Sequence, residues 1–198
     1  MSEDKNFKFD KRASAYDDGF EGRLSKRFYD LLLSQVELND GVSVLDVGCG
    51  TGTILKKLEE HNNIIGYGID IEKNMIAEAK SKCPNMNIFV SGCTDTPFRD
   101  CEFDIVTACM AYHHFSDKKG FAKEASRVLK SDGYLYIVDP CFPSFIRMPL
   151  NLALRVHKIA GYFGTSKEIV NVFKEYGFKL VGIGVDKYAQ CVKLKKVT

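Results

Sequence analysis

Short apolar runs alternate with amphipathic stretches along most of the chain, a pattern typical of a parallel α/β sheet. The apolar runs predict five strands in the first part of the chain, at 42–47, 64–69, 86–91, 103–109 and 134–139. Apolar residues at helical spacing predict helices over about 22–38, 52–61, 72–82 and 117–130. A capped helix and a terminal β-hairpin then follow, at 165–176, 178–185 and 188–194. This alternation argues against a β-sandwich.

The segment 140–164 interrupts the alternation. It is apolar with scattered arginine and histidine, and it contains three of the five prolines of the chain. One interpretation is an irregular helix that packs on the edge of the sheet. The other is an insertion after the fifth strand that forms a wall of a substrate pocket, and both interpretations can hold together.

The composition is that of an ordinary globular protein. The 198 residues suit one domain, in which residues 1–40 form an N-terminal lid or flanking helical segment. The hydrophobic fraction of 45% is ordinary for a globular protein. The net charge of +2 is too small to indicate a nucleic-acid partner by itself. Because no apolar run is long enough to span a bilayer and the N-terminus is charged rather than signal-like, we expect a cytoplasmic protein without a membrane partner.

The cysteines give no metal-binding pattern. There are seven, an odd number, without a C-x-x-C pair or histidines at zinc-binding spacing, so we expect reduced thiols and no metal site. Four of them follow predicted strands, namely Cys49, Cys93, Cys109 and Cys141. Since the ends of parallel strands converge on the ligand crevice, these thiols could line the mouth of that crevice and contact a soft metalloid or thiol substrate. The alternative is that they are small apolar residues at buried strand ends.

The most specific chemical signal lies at the end of the first strand. Three glycines at alternate positions, Gly48, Gly50 and Gly52, follow the apolar run, and Asp46 precedes them by two residues. A glycine-rich turn before a helix lets backbone N–H groups approach a ligand closely. The dinucleotide fingerprint G-x-G-x-x-G would need glycine in place of Thr53. A carboxylate here repels a pyrophosphate and attracts a cationic amino group, which disfavours NAD and favours S-adenosylmethionine, whose methionine end is zwitterionic.

The second strand also ends in an acid. Asp70 follows the run 64–69, about 20 residues past the glycines, which is where such folds bind the two ribose hydroxyls. One carboxylate can accept hydrogen bonds from both hydroxyls of the diol. The alternative is that Asp70 is the N-cap of the helix that starts near Glu72, and both roles can hold together.

Four successive motifs resemble those of the class I S-adenosylmethionine-dependent methyltransferases: VLDVGCGTG, GIDI, FDIVTACMAYHHF and RVLKSDGYLYIVD. Within that class the chain is most similar to the ubiquinone/menaquinone-biosynthesis-like branch, which methylates small molecules. The resemblance covers about residues 40–140 and implies a Rossmann-like α/β fold. Its sheet has seven mostly parallel strands with an antiparallel last strand and helices on both faces. S-Adenosylmethionine is expected across the carboxyl ends of the first strands.

The resemblance implies cofactor contacts from four places in the chain: Asp46, Gly48, Cys49, Gly50, Thr51 and Gly52, then Asp70 and Ile71, then Cys93, Thr94 and Asp95, and finally Cys109. The glycine loop wraps the methionine part, Asp46 faces its amino group, and Ile71 lies on the adenine face. The adenine-side motif at 92–98 departs from the family, because it is one residue shorter and a cysteine replaces the usual Asp or Asn. Either Asp95 accepts from the adenine amino group, or Cys93 and Thr94 contribute backbone alone.

The N-terminal part contains a further candidate, Tyr16. It lies in a segment that resembles a family element folding over the cofactor, which makes it a lid residue. The alternative is simple packing on the helix 22–38.

Methyl transfer from a sulfonium is an in-line displacement, so the protein chiefly aligns donor and acceptor and excludes water. A general base is needed only if the acceptor arrives protonated. His113 and His114, just after the fourth strand, are the candidate bases, since histidine changes charge near neutral pH. Alternatively, one imidazole caps the helix near Asp117 or packs against the segment 140–164.

The predicted function is therefore S-adenosylmethionine-dependent methyl transfer to a small-molecule acceptor. The alternative is a catalytically decayed module of the same fold that binds the cofactor without turnover. A nucleic-acid amino-methyltransferase is disfavoured, because it would show an N/D-P-P-Y/F turn where this chain has Ala108-Cys109-Met110-Ala111-Tyr112.

Overall fold

The computed structural model describes residues 20–159 and 161–197. Within them the strands are β1 (Ser43–Val47), β2 (Ile65–Asp70), β3 (Asn87–Val90), β4 (Phe103–Cys109), β5 (Leu129–Pro140), β6 (Phe178–Asp186) and β7 (Ala189–Lys196). The helices are α1 (Phe20–Gln35), α2 (Thr53–His61), α3 (Lys73–Lys82), α4 (Lys118–Val128), α5 (Ser144–Val156) and α6 (Ser166–Lys174). Tyr16 and the rest of the predicted lid before residue 20 lie outside the described residues.

The strands form one seven-stranded sheet in the order β3-β2-β1-β4-β5-β7-β6. Strands β1 to β5 pair in parallel, so that Leu45 of β1 lies between Tyr67 of β2 and Val106 of β4. Strand β7 runs antiparallel to both β5 and β6. The predicted Rossmann-like sheet with an antiparallel last strand is confirmed.

The fifth strand differs most from its predicted bounds. It begins at Leu129 rather than at 134, because Leu129 pairs with Phe103. The register then shifts, and Asp132 has a left-handed φ of 66° in the bulge before regular pairing resumes. This polar bulge interrupts the apolar run, and so the sequence pattern hides the first part of the strand.

The sheet is buried on both faces, which explains why its strands read as continuous apolar runs. In β5, Leu135 and Ile137 belong to one core cluster while Tyr136 and Val138 belong to the other. Helices α4 and α6 cover the first cluster, and helices α1 and α2 cover the second. Helices therefore lie on both faces, as predicted, and α1 is a flanking helix of the core.

Helix α5 is the helix expected within 140–164. It contains Pro149, and none of its residues is buried. The chain after it returns towards the sheet, where Tyr162 N donates to the carbonyl oxygen of His113 at 2.8 Å. In the described part of the chain, no helix is long and apolar enough to cross a membrane.

Candidate functional site

The glycine loop follows β1 in a backbone conformation that favours glycine. Gly48, Gly50 and Gly52 have φ values of 74°, 52° and 79°, in the left-handed region. A Cβ on Gly48 would lie 2.5 Å from the Cβ of Ala111, so this glycine allows the loop to pack on the segment after β4. A Cβ on Gly50 would have no atom within 4 Å. The first glycine is needed for packing, whereas the second leaves the loop open to a ligand.

Asp70 ties the glycine loop to the end of β2. Its Oδ2 accepts a hydrogen bond from Gly50 N at 2.9 Å, and its Oδ1 accepts one from Glu72 N at 2.9 Å. Burial raises the pKa of the Asp70 carboxyl, and these backbone hydrogen bonds oppose that rise. Each carboxylate oxygen keeps a further lone pair that can accept from a ligand. The N-cap alternative is wrong, because the N-cap position of α3 is Glu72.

Asp46 is a buried acid beneath the loop, with 2% of its surface exposed. The Thr107 hydroxyl of β4 donates to its Oδ1 at 2.6 Å. Burial raises the pKa of Asp46 to about 7; the Thr107 hydrogen bond lowers it, and the nearby charge of Asp70 raises it further. The carboxyl is therefore poised between its neutral and ionised forms, and an approaching cation would favour ionisation.

His113 lies in a short 3₁₀ turn after β4 and is paired with an acid at the end of β5. Its Nδ1 is 2.9 Å from Oδ1 of Asp139, and both side chains are buried. Burial raises the pKa of Asp139, and the charge and hydrogen bond of His113 oppose that rise. A proton on Nδ1, shared with the carboxylate, leaves Nε2 as an acceptor. Asp139 was not predicted as a site residue, although its position at the end of the fifth strand could have indicated it.

The two histidines differ in their surroundings. The ring of Phe163 stacks on His113 at 5.1 Å between centroids, so the segment after α5 packs directly against this imidazole. His114 is exposed, and its ring centroid lies 4.0 Å from that of His113. The helix near Asp117 is capped by Asp117 itself, which accepts from Gly120 N, rather than by an imidazole. Of the two candidate bases, His113 is therefore the one that is buried and paired with an acid.

Helix α4 anchors the segment 92–98 through residues that were not predicted from the sequence. Thr96 donates from its backbone N and its hydroxyl to Oε1 of Glu124, at 2.8 and 2.6 Å. Arg127 donates to the carbonyl oxygen of Phe98 at 2.8 Å and to Asp100 at 2.7 Å. Glu124 and Arg127 are an acid and a base three residues apart on one helix, a spacing that predicts an ion pair from the sequence.

The remaining cofactor candidates lie around these anchors. Thr94 and Asp95 are exposed and Cys93 is half-buried, just before the anchored part of the segment. Ile71 is 60% exposed beside Asp70, although it is a large apolar side chain. Thr51 is buried in the glycine loop.

Three of the four strand-end cysteines pack in different clusters of the core. Cys49 packs in a core cluster with α3, Cys109 belongs to the cluster under α1 and α2, and Cys93 packs against the opposite cluster. Burial raises the pKa of the Cys49 and Cys109 thiols well above the ordinary value. Protonated thiols in separate clusters fit the interpretation of small apolar residues. Within residues 20–159 and 161–197, no three metal-ligating side chains are grouped to hold an ion.

The sequence resembles methyltransferases over its central part. Residues 45–137 match the family described as "Methyltransferase domain". The uncharacterized protein MJ1252 of Methanocaldococcus jannaschii is 34% identical over 63% of this chain and 47% of its own length. A demethylmenaquinone methyltransferase of Chlorobaculum parvum is 32% identical over 67% of this chain and 56% of its own length. The chain thus spans about half the length of these two relatives.

Solved structures share the fold. A methyltransferase of Haloferax volcanii, in a complex with the Trm112 methyltransferase activator, has a TM-score of 0.83 and 19% identity, covering 96% of this chain and 98% of its own. A SAM-dependent methyltransferase of Aquifex aeolicus has a TM-score of 0.75 and 23% identity, covering 95% of this chain and 98% of its own. At these identities the likeness concerns the fold alone.

Proposed function

We propose that this chain transfers the methyl group of S-adenosylmethionine to a small-molecule acceptor, as a class I S-adenosylmethionine-dependent methyltransferase. The match of residues 45–137 to a methyltransferase domain supports this proposal. Relatives named demethylmenaquinone methyltransferase and O-methyltransferase support an acceptor of this size class. The observation that carries the proposal is the pair of acids, Asp46 and Asp70, that flank an open glycine loop.

Each acid matches a different part of the cofactor. Asp46 would ionise against the cationic amino group of the methionine moiety, which repays the cost of holding a carboxylate in a buried place. Asp70 already accepts two backbone hydrogen bonds, and its remaining lone pairs would accept from the two ribose hydroxyls. Ile71, exposed next to it, offers an apolar surface to the adenine ring.

The acceptor side is assigned to His113 and Asp139. When bound, S-adenosylmethionine supplies an electrophilic methyl group on a sulfonium. For an acceptor with an O–H or N–H group, Nε2 of His113 would take the acceptor's proton. The methyl group would leave the sulfonium, whose sulfur becomes the neutral thioether of S-adenosylhomocysteine. Asp139, hydrogen-bonded to Nδ1 at 2.9 Å, orients the ring and stabilises the imidazolium. Phe163 stacked on the ring keeps water from this part of the site.

The alternative of a decayed module has no observation in its favour. The segment 92–98 is shorter than the family motif, but hydrogen bonds with Glu124 and Arg127 hold it against α4. The difference from the family motif would therefore change which atoms face the adenine ring. It gives no reason to expect that the chain has lost its affinity for the cofactor.

Calorimetric titration with S-adenosylhomocysteine tests the proposed site. The variant Asp70→Asn removes the charge that organises the loop, and we expect its affinity to fall by about 10- to 100-fold, because hydrogen bonds to a charged group contribute about 1.5–3 kcal/mol. The matched control is Asp30→Asn, since Asp30 is an exposed acid on α1. Equal affinities of the two variants, or no binding to the unmodified chain at millimolar ligand, would overturn the assignment.

A second measurement separates binding from chemistry. We expect His113→Ala to keep its affinity for S-adenosylhomocysteine but to lose about 100-fold or more in labelled methyl transfer to a metabolite extract. Asp139→Asn should shift the pH profile of turnover without changing cofactor affinity. Transfer that is unaffected by either substitution would show that the acceptor needs no base from these residues.

A further inference from the structure

Helix α5 has its apolar side turned away from the protein. Large apolar side chains recur at helical spacing along it, with Ile159 just past its end, and their exposed fractions are 77% for Phe145, 66% for Met148, 61% for Leu152, 66% for Val156 and 52% for Ile159. A helix on the surface of a globular protein ordinarily buries such a stripe against the core. We call these five side chains the α5 stripe.

The opposite side of α5 holds the helix to the protein through polar groups. The side chain of Asn151 exchanges two hydrogen bonds with the backbone of Phe163, at 2.9 and 3.0 Å. Arg147 lies 3.4 Å from a carboxylate oxygen of Glu168 at the start of α6. The polar side of the helix therefore faces the protein and its apolar side faces outward, so the α5 stripe contributes little to the core.

The side-chain charges within the segment that carries the stripe are of one sign. From 140 to 167 the sequence contains no acidic residue and four basic ones, which are Arg147, Arg155, Lys158 and Lys167. The net charge of the chain is +2, so the rest of the chain carries 2 − 4 = −2. Arg155 and Lys158 are exposed within one turn of Leu152 or Val156. Arg147 pairs inward with Glu168, so the positive charge beside the exposed apolar stripe comes from Arg155 and Lys158.

We propose that helix α5 lies in the interface of a lipid bilayer with anionic headgroups, which reverses the expectation of no membrane partner. The α5 stripe would enter the boundary between headgroups and acyl chains, and Arg155 and Lys158 would contact the headgroups. A second copy of the chain is a poorer occupant, because pairing two such helices brings the same basic side chains together. The proposal stands on exposure and charge and does not depend on the proposed function.

Helix α5 lies close to the candidate base His113. The segment that follows α5 contacts His113 through the backbone of Tyr162 and the ring of Phe163. A bilayer against α5 would thus lie next to the end of the sheet where β4 and β5 terminate. This is the edge at which ligands bind in parallel α/β sheets.

Sedimentation with vesicles tests the proposal on the full chain. We expect binding to phosphatidylcholine vesicles that contain phosphatidylglycerol and much weaker binding to phosphatidylcholine alone. The variant Met148→Ser/Leu152→Ser/Val156→Ser should lower the partition coefficient by tenfold or more, and Arg155→Gln/Lys158→Gln by about fivefold for each basic side chain. The matched control is Ile183→Ser/Val185→Ser, which removes exposed apolar side chains from β6 and should bind as the unmodified chain does.

Tryptophan fluorescence gives an independent readout, because the chain contains no tryptophan. Phe145→Trp should emit at long wavelength in buffer and shift to shorter wavelength with the mixed vesicles, whereas Phe89→Trp on β3 should not shift. Emission that is already blue-shifted in buffer would mean that another part of the chain or a second copy covers the stripe. That result, a stripe-dependent dimer in sedimentation, or no vesicle binding would each overturn the proposal.

Discussion

The glycine loop and helix α5 lie at the same edge of the sheet and are built in opposite ways. The loop rests on a core, since Leu55 in the helix after it is fully buried and Gly48 N donates to Ile69 O at 2.8 Å. Helix α5 buries none of its residues and exposes the large apolar side chains of the α5 stripe. Apolar side chains next to the glycine loop therefore stabilise the fold, whereas those of helix α5 are available for contact with another molecule.

The largest expected contrast is between two leucines, one in each region. Leu55→Ala should lower the free energy of unfolding by about 2–5 kcal/mol, because it leaves a cavity in a packed core. Leu152→Ala should change it by less than about 0.5 kcal/mol, because 61% of that side chain is exposed. Urea denaturation of the two variants measures both values. A loss above about 1 kcal/mol for Leu152→Ala would show that α5 packs against more of the protein than the described residues indicate.

A smaller contrast lies within the glycine loop itself. Gly48→Ala combines a left-handed φ of 74° with a Cβ at 2.5 Å from Ala111, and should cost about 2–4 kcal/mol of stability. Gly50→Ala meets no neighbour within 4 Å and should cost about 1–2 kcal/mol for its backbone alone.

The two glycine variants are to be compared by thermal unfolding and by titration with S-adenosylhomocysteine. Gly50→Ala should lose the larger share of its affinity relative to its stability, because its new methyl group projects into the space proposed for the ligand. Equal stability losses in the two variants would contradict the packing role assigned to Gly48.

A further contrast concerns a single ionisable group, through the pH dependence of Asp46. Folding raises its pKa from an ordinary 3.8 to about 7, so the folded chain binds more protons, and the stability due to this group falls as the pH rises from about 4 to about 7. Affinity for S-adenosylhomocysteine should rise over the same window, by up to about tenfold per pH unit below the pKa, because the ionised carboxylate binds the amino group.

Titrations at about pH 5.5 and pH 7.5 measure this dependence on Asp46. Asp46→Asn should have weak affinity at both values, whereas Asp30→Asn should keep the rise. An affinity of the unmodified chain that is independent of pH would remove the proposed contact between Asp46 and the amino group.

The sequence alone predicted the alternation of strands and helices, the sheet and the chemistry of the glycine loop. These features depend on neighbours within a few residues: periodic apolar runs, glycines that adopt left-handed φ, and acids at strand ends. Gly48, Gly50 and Asp70 could therefore be proposed as site candidates from local pattern, and the β1–β2 pairing brings them together in the folded chain.

Only the tertiary structure decided which distant groups meet and which face of a helix points outward. His113 and Asp139 are separated by 26 residues and become partners because β4 and β5 are adjacent. The amphipathic pattern of α5 shows that a stripe exists, but the hydrogen bonds of Asn151 turn it away from the core. Local periodicity specifies elements, whereas orientation and long-range pairing follow from how the whole chain packs.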